Sequence, residues 1–184
     1  MKRLAAVVLL FAALGSALYV WKTEPPWFER LRYPLDYQSI VRAHAHTYGI
    51  DPALLAAVIY QESKFDPTAR SKSGAVGLMQ LTPATAEGIA IRTGGRAFRA
   101  SDLTTPEINV RYGCWYLRDL FQKYKQERLV LAAYNAGQGN VDRWLRAHEG
   151  IQFPETRAYV SRVEHLQGIY RDAWHAKLYP ATAN

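Results

Sequence analysis

Three helical runs in this chain open with a residue suited to capping followed directly by proline: Asp51-Pro52, Thr82-Pro83 and Thr105-Pro106. A fourth proline, Pro154, opens another helical run. At the first helical position proline gives up nothing, because its missing N–H would be unpaired there and its φ is already helical. Behind these starts, apolar residues recur three and four apart: Leu54, Leu55, Val58 and Ile59, then Val110, Cys114, Leu117 and Phe121. The pattern predicts helices from Asp36 (with Ile40, Val41 and Ala45 inward), from 52 to an end at Phe65 and Asp66-Pro67, from 83 to about 91, from 106 to about 125 and over 129–136. Two more follow, one capped by Asn140 with Val141, Trp144 and Leu145 on its core side, and one from 154 to about 176. No alternating strand pattern and no internal repeat appears. The fold class is all-α, and 184 residues suffice for one core.

The first twenty-two residues stand apart. Met1-Lys2-Arg3 precedes eighteen residues, 4–21, whose only ionisable side chain is Tyr19. As a helix this run spans about 27 Å, close to the ~30 Å of a bilayer's hydrocarbon layer. Lys2 and Arg3 place the N-terminus in the cytoplasm and the remainder outside. Residues 1–22 thus read as a signal anchor in the cytoplasmic membrane. A cleaved signal peptide is the rival, with small residues at Gly15, Ser16 and Ala17. Residues 23–35 read as a spacer, 36–178 as the domain and 179–184 as a tail.

Composition narrows the function. The net charge of +7 favours anionic partners, yet the basic residues are scattered and no Lys/Arg tract interleaves with aromatics, so nucleic acid is not expected. One cysteine, Cys114, allows neither an internal disulfide nor a multi-cysteine zinc site, and in its Tyr-Gly-Cys-Trp-Tyr-Leu run it reads as a small core hydrophobe. His44 and His46, two apart on a helix, read as exposed rather than as metal ligands; no metal or cofactor is expected.

The helix from Pro52 ends in a lone carboxylate, Glu62, four after Val58 and seven after Leu55 and therefore on the apolar face. Apolar walls and the negative end of the helix dipole both favour its protonated form, as a general acid requires. On the helix alone, an inert hydrogen-bonded glutamate is the simpler reading.

The residues that follow alter that balance. Gln61-Glu62-Ser63, then SKSGAVGLMQ (residues 71–80), AAYNAG (132–137) and PETRAYV (154–160) together resemble the SLT-type lytic transglycosylases, relatives of goose-type lysozyme that cleave peptidoglycan. The resemblance covers roughly residues 37–170 and implies a lysozyme-like helical domain. It matches Glu62 to the family's acid/base and Tyr134 to the tyrosine that hydrogen-bonds this carboxyl. Ser71 and Gln80 match cleft positions that touch the glycan, Tyr116 an aromatic lining the cleft, and Glu155 the glutamate of the family's ETR motif; Asn135 reads as a support or sugar contact, and Glu155 and Tyr159, four on, as cleft contacts. Thr82 departs from the family pattern, which often has methionine after GLMQ.

Ordinary glycoside hydrolysis needs two carboxylates. Here the second is hard to find: Asp66, beside Pro67, reads as a turn residue and Glu155 lies in a separate motif. The resemblance implies a route with one. The acetamido group of N-acetylmuramic acid assists cleavage and the sugar's own primary hydroxyl closes an anhydro ring, with Glu62 as acid and then base. The expected partner is the peptidoglycan glycan strand, met on the outer side of the cytoplasmic membrane. Rival readings are a hydrolytic muramidase on the same fold and a non-catalytic wall-binding or assembly factor.

Overall fold

The computed structural model describes residues 2–95 and 97–180, with side chains for all of these but residues 2–8 and 17. The chain divides into two compact units, Met1–Pro34 and Leu35–Asn184. In the first, α1 (Lys2–Thr23) carries the apolar run, and Leu9, Leu10, Phe11, Leu14 and Leu18 are exposed along it. The side chains of residues 4–8 and 17, on which the anchor expectation partly rests, lie outside the described residues. Among the described residues no helix is long and apolar enough to cross a membrane. Within the segment read as a spacer, Pro26–Arg32 forms a short helix, α2.

The second unit is helical throughout: α3 (Gln38–Tyr48), α4 (Pro52–Ser63), α5 (Pro83–Thr93), a 3-10 turn (Ala100–Thr104), α6 (Pro106–Tyr124), α7 (Glu127–Ala136), α8 (Gln138–Arg146), α9 (Pro154–Ala173) and α10 (His175–Leu178). Among the described residues extended backbone pairs only in the isolated bridges Arg70–Val76 and Val76–Leu81. The middle of the unit is α4. Every residue from Ala53 to Ile59 is buried, so this helix is enclosed on all sides rather than on the one face its spacing suggests. Its main neighbour is α9, with α3 beside it; α6 touches α3, α5 and α7, and α7 lies between α6, α8 and α9.

The start of α4 is built as its sequence indicates. The Asp51 carboxylate accepts from the Ala53 N–H at 3.1 Å, and Pro52 holds the first helical position. The same carboxylate also ties down the chain's far end: Gln167 and Arg171 of α9 donate to Oδ2 at 3.0 and 2.5 Å, and the Tyr179 hydroxyl donates to Oδ1. Thr82 caps α5 through the Thr85 N–H.

Several helix details differ from the sequence expectation. The residue before α3 is Tyr37 in a left-handed conformation, not a capping Asp36. Asn140 lies inside α8, which starts directly after Gly137, and its amide donates to the Ala136 carbonyl. Leu145 is 42% exposed, because Val141 and Trp144 already cover the core side of this short helix. His44 is buried, with Nε2 2.7 Å from Glu107 Oε1 at the start of α6, whereas His46 is exposed. Cys114 is fully buried, and burial holds its thiol well above the ordinary range.

Candidate active site

Glu62 occupies the last turn of α4, and the way this helix stops decides what surrounds it. Lys64 and Phe65 both take left-handed backbone (φ 55° and 65°), which costs non-glycine residues about 1–2 kcal/mol each. The turn swings Phe65 inward to 3% exposure, against the rings of Tyr60 and Tyr170, and burying a phenylalanine contributes about 2–3 kcal/mol in return. The helix therefore ends with Glu62 at the edge of the core.

The Glu62 side chain is partly buried, so solvent and a ligand can reach it while its surroundings remain mostly dry. Burial raises its pKa to about 7, opposed by a hydrogen bond from Tyr159. The Tyr159 hydroxyl, from α9, donates to Glu62 Oε1 at 2.7 Å; its ring is 3% exposed and burial keeps the phenol protonated. Asp66 is exposed and accepts from the Thr68 N–H and hydroxyl at 2.8 and 2.7 Å, the turn role its neighbouring proline indicated. Glu155 is exposed in the first turn of α9. Neither carboxylate is bonded to Glu62.

The tyrosine that bonds Glu62 is Tyr159, expected only as a cleft contact, and not Tyr134. Tyr134 does not bond the Glu62 carboxyl; its hydroxyl donates to the Met79 carbonyl at 2.7 Å. A phenol has one proton to give, and the Met79 carbonyl takes Tyr134's. Tyr134 still lies in Glu62's field: burial raises its pKa well above the ordinary value, and the Glu62 charge adds to the effect. The ring of Tyr116, from α6, lies 5.5 Å from that of Tyr134.

The loop over 69–81 is fastened from several helices. The Ser63 hydroxyl, 3.1 Å from the Ile59 carbonyl of its own helix, also reaches the Leu78 carbonyl at 2.8 Å. Asn109 of α6, fully buried, accepts from the Met79 N–H at 2.7 Å and donates to the carbonyls of Val76 and Leu103 at 2.9 and 2.8 Å. Gly77 is required here. Its φ is +81°, and a Cβ would stand 2.2 Å from the Leu103 carbonyl oxygen. Gln80, at φ 47°, donates its amide to Ala69 and Gly77 carbonyls.

Of the remaining expected contacts, Asn135 is exposed and accepts from the Thr156 hydroxyl at 2.8 Å, joining α7 to the start of α9. Ser71 is exposed, its Oγ accepting from the Ala75 N–H and pairing with Ser73 within the loop. The structure therefore joins Glu62 to Tyr159, and Met79 to Tyr134 and through it to Tyr116, with Gln80 next in sequence. Ser71 and Glu155 stay at the margin. Sequence reasoning missed Asn109. An asparagine beside the apolar stripe of a helix was the available signal.

A cavity of about 310 Å³ lined by Tyr48, Thr93, Gly95, Arg111, Tyr112 and Trp115 contains none of these residues. Among the described residues no cluster of three or more His, Cys, Asp or Glu could hold a metal ion.

An all-α domain with one protonatable carboxyl at the end of a buried central helix agrees with the lysozyme-like fold that the resemblance implies. Its solved relatives bear this out. The 70 kDa soluble lytic transglycosylase from Escherichia coli superimposes with a TM-score of 0.75 at 31% identity, over 84% of this chain and 27% of that one. An inactive glutamate-to-glutamine mutant of lytic transglycosylase Slt from Pseudomonas aeruginosa gives 0.73 at 32% identity, over 80% and 26%. The profile of the transglycosylase SLT domain matches residues 39–153, and the chain belongs to that family. The soluble lytic murein transglycosylase of Salmonella typhimurium is 34% identical over 152 residues, covering 76% of this chain and 24% of that protein. Membrane-bound lytic murein transglycosylase F of Yersinia enterocolitica is 42% identical over 103 residues, 52% of this chain and 19% of that one. The chain spans about a quarter or less of the length of these relatives.

Proposed function

We propose that this protein cleaves the glycan strands of peptidoglycan as a lytic transglycosylase, with Glu62 as both acid and base. The observation that carries the reading is a single carboxyl, Glu62, partly buried at the end of α4 and held by the Tyr159 hydroxyl at 2.7 Å, with neither Asp66 nor Glu155 bonded to it and with burial raising its pKa to about 7. Near neutrality a substantial share of Glu62 is protonated. It gives its proton to the oxygen bridging N-acetylmuramic acid and the next sugar, and the C1–O bond breaks with help from the acetamido oxygen. The carboxylate left behind takes the proton of the sugar's C6 hydroxyl as that oxygen bonds to C1. No water is consumed, and the chain ends in a 1,6-anhydro ring. Tyr159 holds Glu62 Oε1 throughout and stabilises the charged form between the two transfers. Tyr116, Tyr134 and Gln80 line the approach, with Ser71, Asn135 and Glu155 as outer glycan contacts. Residues 1–22 act as the signal or anchor that carries the domain to the outer face of the cytoplasmic membrane.

The test is mass spectrometry of fragments released from purified peptidoglycan by the wild type and by Glu62→Gln. Fragments lighter by one water than hydrolytic products are expected from the wild type. The substitution should slow their release by about 10²–10⁴-fold, the usual contribution of a general acid. Reducing ends in their place would make the protein a hydrolytic muramidase.

A further inference from the structure

The two peptide units on either side of Met79 have all four polar groups engaged. In the unit joining Leu78 to Met79, the carbonyl lies 2.8 Å from the Ser63 hydroxyl and the N–H donates to Asn109 Oδ1 at 2.7 Å. In the next, the Met79 carbonyl accepts from the Tyr134 hydroxyl at 2.7 Å and the Gln80 N–H donates to the Gly77 carbonyl at 3.1 Å. Neither plane can rotate without breaking bonds at both ends. Ser63 adjoins Glu62 in sequence, and Tyr134 lies in its field. The loop is thus tied to the acid's surroundings on one side, and on the other Asn109 ties it to α6 and the 3-10 turn through the Val76 and Leu103 carbonyls.

We propose that Asn109 is a positioning residue of the glycan-cleaving site: by holding the Met79 N–H and the Val76 and Leu103 carbonyls at once, it fixes where Gln80 and the Tyr134 hydroxyl stand relative to Glu62. This rests on the transglycosylase reading for its effect on turnover, but not for its effect on the loop. The chemistry of the amide is matched to the task. Its oxygen faces a donor and its nitrogen faces two acceptors, a pattern that neither aspartate nor a shorter hydroxyl reproduces. The surroundings leave no slack: a Cβ on Gly77 would lie 2.3 Å from Asn109 Nδ2, and one on Gly113 would lie 2.1 Å from Met79 Sδ. With no room to re-form the contacts elsewhere, loss of the amide releases the Met79 N–H and with it the first of the two planes.

The chain has two methionines, Met1 and Met79, so ¹³C-methyl methionine labelling gives one resonance from the loop. The experiment compares full-length wild type, Asn109→Ser, Asn109→Asp and, as a control for stability alone, Leu178→Ala in α10, a buried residue remote in sequence from the loop. Asn109→Ser should shift or broaden the Met79 methyl resonance and lower kcat on a soluble glycan oligomer by about tenfold or more. The inflection of its pH profile near 7 should move with it, while KM changes less than threefold. Leu178→Ala should lower the melting temperature but leave the Met79 resonance, the inflection and kcat as in the wild type. If Asn109→Ser does not fold, Asn109→Asp is measured below pH 4, where a neutral carboxyl restores one donor, and partial return of the Met79 resonance is expected. A folded Asn109→Ser with an unmoved Met79 resonance and kcat within twofold of wild type overturns the inference. A wild type that cleaves nothing while the resonance responds as stated overturns the transglycosylase reading instead.

Discussion

At the scale of single residues, Glu62 is a group the fold holds at a cost. Its pKa is raised from 4.5 to about 7, so the native state binds a proton more tightly than the unfolded chain. Stability from this group is therefore complete below pH 4.5 and is lost as pH rises through 7, amounting to about 3 kcal/mol. Glu62→Gln keeps an acceptor for Tyr159 and never ionises. It should match the wild type near pH 4 and exceed it by up to about 3 kcal/mol at pH 8, as read by urea titration at both pH values. Tyr159→Phe probes the opposing influence. Its hydrogen bond favours the carboxylate, so removal should raise the Glu62 pKa and move the alkaline limb of the activity profile up by about one pH unit. An unmoved limb would show that Tyr159 does not act on this carboxyl.

At the scale of elements, the N-terminal cap of α4 does more than start a helix. Asp51 receives donors from its own first turn, from Gln167 and Arg171 on α9, and from Tyr179 beyond α10, so one carboxylate closes the last segments onto the central helix. Burial pushes its pKa up, but the bonds from Tyr179, Arg171, Gln167 and Ala53 prevail and hold it below the ordinary 3.8. Asp51→Ala should cost about 2–4 kcal/mol at neutral pH, measured by chemical denaturation. Because the folded pKa is depressed, that stabilisation is present above 3.8 and fades as pH falls through the folded value, so the two proteins should converge in strong acid. The capping role was legible in the Asp51-Pro52 pair because it is set by neighbours in sequence. The contacts with Gln167, Arg171 and Tyr179 were not, since nothing local marks a partner more than a hundred positions away. The same division runs through the site. The spacing of Glu62 to Val58 and Leu55 placed it on the apolar face, but only the motifs that follow it singled it out; Asp66 was legible from the proline beside it. Tyr134 and Tyr159 were both singled out, but which of them reaches Glu62 depends on how α7 and α9 approach α4 and the 69–81 loop. His44 was misread although it lies four after Ile40 and three after Val41, on the inward face; its polar ring suggested solvent, and Glu107 at the start of α6 supplies the partner that lets it be buried.

At the scale of the whole molecule, every buried residue among those described lies at or after Leu35. A chain beginning there gives up none of its core, and Asp51, Tyr179 and the Glu62 network all remain. Cys114 offers a probe of that core, because it is the chain's one thiol, is fully buried, and is held protonated by its surroundings. A thiol reagent attacks the thiolate, so labelling has to wait for an opening that exposes α6 to water. The protein starting at residue 35 should unfold in one cooperative transition, with Cys114 labelled at least a thousandfold more slowly than a free cysteine at neutral pH and at the free rate once denaturant has unfolded it. The full chain should show the same protection factor in detergent, since residues 1–34 contribute no buried residue among those described. Fast labelling of the shorter chain, with protection retained in the longer one, would mean that the first unit supports the core after all. Equal protection in both would assign the domain's stability to residues 35 onward and leave the first unit free to serve localisation.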